Sequence, residues 1–124
     1  MDLIQAKIWF FKIAEVDEMG KVKYRVKARV VKVAGECPIY KEGDEIVIDW
    51  FYINTRKSKN VCIHAFGALL SLLSAFLHGS SAIDLGIGKE ENKGYLQCPD
   101  PGKPWTCGGT VLFELRREKI QEKV

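Results

Sequence analysis

Four cysteines are the residues of this chain whose type and placement suggest chemistry. Cys37 and Cys98 are each followed by proline, Cys62 opens a long apolar run, and Cys107 precedes the last apolar segment. Proline removes the next backbone donor and stiffens the turn, and Cys-Pro also occurs where thiolates hold iron–sulfur clusters. No C-x-x-C pair is present, so neither a zinc ribbon nor a thioredoxin-like redox motif is encoded. Any shared site must therefore be assembled by folding. Three or four thiolates suit an iron–sulfur cluster or zinc, and His64 or His78 would complete a zinc site. With Cys37, Cys62 and Cys98 alone, one metal position stays open for a substrate atom. Free cysteine is also among the most buried residue types, so packing is the competing explanation for each one taken singly.

The elements that must position these thiols can be read from periodicity. Segments 6–16 and 22–33 are rich in Ile, Val, Phe, Trp and Tyr around the turn "DEMGK", which predicts a long hairpin. In its second arm Val22, Tyr24, Val26, Ala28 and Val30 share one parity and Lys23, Arg25, Lys27 and Arg29 the other, the pattern of a half-buried strand. The parity flips at Val30 and Val31, which predicts a bulge or a strand buried on both faces. "KEGD" then turns into a third strand, "DEIVIDWFYI".

Residues 61–78 carry no proline and no acid, and Asn60 is placed as an N-cap, so a largely buried helix is expected there. Cys62 falls in its first turn, where unpaired backbone N–H groups and the helix dipole stabilise negative charge. The run is nearly long enough to span a bilayer. Yet His64, Ser71, Ser74 and His78 form one polar stripe, which fits a helix edge touching solvent. Residues 80–93 read as a surface loop, and "GYLQC" and "TVLFELRRE" as the last two strands.

The expected fold is therefore α+β: one small domain, mainly antiparallel sheet, with the N-terminal hairpin packed on a buried helix at about 61–78. A chain of 124 residues with 47% hydrophobic composition holds one core and not two, and a formal charge of +3 by itself argues neither for nor against nucleic acid. The basic row reads as a solvated strand face. Trp9, Phe10 and Trp105 are not interleaved with it, and Tyr24 has the opposite parity. No basic n-region precedes the first apolar run, so a cytoplasmic location with reduced thiols, and no membrane insertion, is expected.

"GECPIYKEGDEIVI", "VCIHAFGALLSLLSAFLHG" and "LQCPDPG" followed by "GGTVLFELRRE" resemble, in order, a family of small uncharacterised prokaryotic proteins described as a repeat-protein family. Its pattern is Cys-Pro with a following Gly-Asp, then Cys and Ala opening a helix, then Cys-Pro-Asp. The resemblance covers 27–118 and carries over Cys37, Gly43, Asp44, Cys62, Ala65, Cys98, Pro99 and Asp100. It implies a family-like core preceded by a 1–26 hairpin extension and followed by a frayed tail, 119–124. It brings no activity with it, and Cys107 lies outside its motifs.

The function these residues point to is a small cysteine-ligated metalloprotein, holding an iron–sulfur cluster or, second, zinc. Cys37, Cys62, Cys98 and Cys107 are its candidate ligands. Asp44, His64 and Asp100 are supporting residues, although Asp44 and Asp100 also suit turns. A redox partner protein or a small-molecule ligand would complete such a centre, and a homo-oligomer is compatible with it. Nothing places a base beside a cysteine, so catalysis is left open. The alternative is a metal-free interaction domain with structural thiols or disulfides, binding a protein or nucleic-acid partner through the basic strand face.

Overall fold

The computed structural model describes residues 22–120. Five strands, β1 (Tyr24–Ala34), β2 (Glu45–Asp49), β3 (Tyr52–Ile53), β4 (Lys93–Gln97) and β5 (Thr110–Lys119), form one antiparallel sheet in the order β3-β2-β1-β5-β4. One helix, α1 (Ile63–Leu77), packs on it, giving a small α+β domain. The first arm of the expected hairpin, 6–16, lies outside the described residues, and its second arm is β1, the middle strand.

Alternation explains the core. Val26, Ala28 and Val30 of β1 are fully buried beside Ile46 and Ile48 of β2 and Phe113 and Leu115 of β5. Leu69, Leu73 and Phe76 of α1 close over them. Each large apolar side chain so buried contributes about 1.5–3 kcal/mol of transfer free energy. The parity change is a β-bulge: Val30 faces Phe113 and Lys32 faces Leu112, so Val31 is the extra residue. Beyond it Val33, opposite Val111, returns to the core side.

The third strand departs from the single run expected over 44–53. It breaks after Asp49, where Trp50 takes a left-handed φ of 56°, and β3 folds back on β2. The cause is Asp49, only 4% exposed after the buried apolar run Ile46, Val47 and Ile48. Its carboxylate is held by the Arg25 guanidinium on one side and by the Asn54 amide at 2.8 Å on the other. Asn54 reaches it because the chain has reversed. Burial pushes this carboxyl up, but the Arg25 and Asn54 hydrogen bonds outweigh it and hold it below the usual carboxylate range.

α1 also differs from expectation at its start and around its girth. Cys62, not Asn60, is the N-cap residue, and no side chain caps the first turn. Burial follows one stripe, Ala65, Leu69, Leu73, Phe76 and Leu77, while Ile63 and Leu70 are exposed, so the helix is not largely buried. His64, Ser71, Ser74 and His78 are exposed as the polar stripe implied. Among the described residues no helix is long and apolar enough to cross a membrane.

Arg117 of β5 fastens the other end of α1. Its guanidinium donates to the Phe76 and Ser80 carbonyls at 2.6 and 2.7 Å and to Asn92, and it stacks over the Phe76 and Tyr24 rings. A cation on the last carbonyls of a helix opposes its dipole favourably. Segment 80–92 is not simply a surface loop, because Ala82 and Ile87 enter the core from it.

The basic row of β1 is matched across the sheet. Arg25 stands opposite Asp49 and Glu118, and Arg29 opposite Glu45 and Glu114. Lys27 lies 3.6 Å from Glu118. The open face is thus a mixed-charge surface and not a basic one.

Candidate functional site

The bulge in β1 and the turn at Gly35, with φ of 85°, lead the chain to Cys37 and Pro38. Three residues on, the Tyr40 backbone N–H donates to the Cys37 Sγ at 3.4 Å. Tyr40 is itself 5% exposed, with its ring edge-on to Phe113 at 5.5 Å. Its phenol oxygen accepts the backbone N–H of Cys62 at 2.8 Å, while the Cys62 carbonyl accepts the first helical bond, from Phe66. One tyrosine therefore ties two cysteines from distant parts of the chain. Burial pushes its hydroxyl up from the ordinary phenol range.

Cys98 follows β4 directly. Its N–H donates to the Val111 carbonyl at 3.0 Å, as in an antiparallel ladder. The return bond goes elsewhere: the Val111 N–H donates to the Cys98 Sγ at 3.2 Å. That sulfur also lies 3.8 Å from the Gly109 carbonyl.

Cys37, Cys62 and Cys98 line one pocket of about 380 Å³, together with Tyr40, His64 and Asp100. The size is that of a small-molecule site, roughly 300–1,000 Å³. The remaining walls are mainly apolar, from Ile39, Ala65, Val111 and the two prolines that follow cysteine. No lysine or arginine is among the lining residues.

Two glycines bring the walls together. A Cβ on Gly109 would stand 2.8 Å from the Glu36 backbone, so the strand entering β5 and the loop carrying Cys37 touch main chain to main chain. A Cβ on Gly108 would stand 2.3 Å from the Asp100 Oδ2. Asp100 is fixed by its other oxygen, which accepts from the Thr106 hydroxyl and from the Gly102 N–H at 2.8 Å. Thr106 first and Gly102 second hold this carboxyl below the usual carboxylate range.

The other candidates fall elsewhere. Cys107 is exposed and outside the pocket lining, although Gly108 and Gly109 beside it belong to it. Asp44 closes the KEGD turn by accepting the Lys41 N–H at 2.9 Å, and it does not line the pocket. His64 is exposed at the rim. Among the described residues no three His, Cys, Asp or Glu side chains are grouped so as to hold one metal ion. Tyr40 and the Gly108–Gly109 pair are the site residues that the sequence did not single out. Their signals were a buried-type aromatic three residues after Cys37 and a paired glycine before a strand.

No family model, curated protein or solved structure matches this chain.

Proposed function

We propose that this protein binds an iron–sulfur cluster through Cys37, Cys62 and Cys98. The observation that carries the reading is their convergence, from the ends of β1, α1 and β4, on one 380 Å³ pocket. Thiolates are the donors a cluster requires, and backbone N–H donors on sulfur, here at Cys37 and Cys98, are a usual means of tuning one. Zinc is the second reading; it would draw the sulfurs to about 3.8 Å of one another around one ion, and no three side chains among the described residues are grouped in that way.

Bound through three cysteines, such a cluster supplies electron transfer or one open iron for a substrate atom. The chain's own contribution is positional: Tyr40 fixes Cys37 and Cys62, the Val111 N–H orients Cys98, and the apolar walls limit water. The order of Cys-Pro, Cys-x-x-Ala and Cys-Pro-Asp along the chain fits this reading, since all three cysteines of those motifs face one cavity.

A metal-free reading has one observation in its favour. The 3.8 Å approach of the Cys98 Sγ to the Gly109 carbonyl suits a neutral S–H donor. In that reading the β1 row offers a partner a mixed-charge surface, because acids stand opposite Arg25 and Arg29 on both neighbouring strands.

Visible absorption with iron, zinc and acid-labile sulfide analysis on anaerobically purified protein tests the proposal. Iron and sulfide are expected in the native chain and absent after Cys37→Ser, Cys62→Ser or Cys98→Ser, with Cys107→Ser retaining both. Colourless, metal-free protein that stays so after anaerobic reconstitution would end this reading.

A further inference from the structure

We infer that the same pocket takes a small organic cation, an alkylammonium or guanidinium group, anchored on the Asp100 Oδ2. The inference rests on the proposed function only for the identity of the pocket and goes beyond it in naming what enters.

Three observations support it. The two oxygens of Asp100 are used unequally: Oδ1 accepts both the Thr106 hydroxyl and the Gly102 N–H, whereas Oδ2 has no hydrogen-bond partner among the described residues. A carboxylate whose fixed oxygen is already satisfied presents the other one at no further cost in side-chain order. Next, Gly108 makes room for that oxygen at the pocket wall, since any Cβ there would come within 2.3 Å of it. Finally, the pocket is lined by one carboxylate, three thiols, His64 and Tyr40 among mainly apolar walls, with no lysine or arginine. That composition offers a cation one charge-assisted hydrogen bond on Asp100, with apolar wall for the attached carbon chain. The 380 Å³ volume limits the ligand to a small molecule.

Asp100→Asn separates the two oxygens. The amide oxygen still accepts from Gly102 and Thr106, while an N–H₂ donor replaces Oδ2, so the loop is kept and the cation site is lost. The test is a titration of isotope-labelled protein, as purified, with n-butylammonium chloride, followed by amide chemical shifts and with sodium butyrate and butanol as controls. Shifts at Gly102, Gly108 and Gly109 are expected with n-butylammonium at about millimolar affinity, and a tenfold or greater weakening in Asp100→Asn. Gly108→Ala, which pushes the carboxylate aside without changing charge, is expected to weaken binding likewise and covers the case in which the asparagine variant does not fold. Butyrate or butanol binding as well as the ammonium, or unchanged affinity in both variants, would overturn the inference. Iron and sulfide content is read separately, so failure here and failure of the cluster reading are distinguishable.

Discussion

The phenol of Tyr40 accepts the backbone N–H of Cys62 at 2.8 Å, across a sequence separation of 22 residues. Because the Tyr40 N–H also reaches the Cys37 Sγ, the loop after β1 and the start of α1 are one hydrogen-bonded unit. Tyr40→Phe keeps the ring against Phe113 and removes only the acceptor. The variant is expected to lose about 1 kcal/mol, the ordinary net worth of such a bond. Urea unfolding should show a lower midpoint at unchanged slope, and an unchanged midpoint would mean that this contact does not organise the site.

Gly108 and Gly109 are adjacent yet should respond unequally to alanine. The new methyl at 109 meets Glu36 main chain, which has nowhere to go, and a loss of about 1–3 kcal/mol is expected from the overpacking. At 108 it meets the end of the Asp100 side chain, which can give way only by straining its Thr106 and Gly102 hydrogen bonds, so a smaller loss of about 0.5–1 kcal/mol is expected. Thermal unfolding of the two variants side by side checks the contrast.

Asp49 gives the protein an acid limb. Its carboxyl is held below the unfolded value of about 3.9, so its contribution is complete above that pH and is lost as pH falls through the folded value. Asp100 and Glu114 are depressed as well and act in the same direction. Asp49→Asn should therefore lower stability at neutral pH and flatten, without abolishing, the fall between about pH 5 and 2. Arg25→Ala, which leaves the buried carboxylate short of its cation, is expected to cost about 2–3 kcal/mol at pH 7. Denaturant midpoints measured across pH for the three proteins test both statements.

Arg117→Lys is not conservative here. One ammonium cannot serve the Phe76 and Ser80 carbonyls and Asn92 together while stacking on two rings. A loss of about 1–2 kcal/mol is expected, with amide hydrogen exchange accelerated most in the last turn of α1.

Local periodicity carried much of the fold. Strands β1, β4 and β5 and the helix each announce themselves by alternation or by an unbroken apolar run, and the three-cysteine set was visible because each thiol sits at an element end beside proline or a helix start. What escaped depends on tertiary partners. The break at Trp50 follows from burying Asp49 between Arg25 and Asn54, and apolar residues on both sides of it look like one strand. The N–H of the N-cap residue Cys62 is met by a tyrosine 22 residues upstream, and the nearby Asn60 does not cap α1. The row of cations read as a solvated strand face, but its acidic counterparts, Glu45, Glu114 and Glu118, lie on other strands and were not legible from it.

The extra residue in β1 has a consequence for chain length. Since Val31 alone lies between two positions that pair in step with β5, a chain lacking it would keep Lys32 opposite Leu112 and Val33 opposite Val111. The strand would close into a regular ladder with the same residues facing inward, and only the local bend would be gone. Val31 is thus formally a one-residue insertion that leaves strand pairing untouched and alters the angle at which the following loop leaves the sheet. Deleting it offers a way to move Cys37 without altering a residue that lines the pocket.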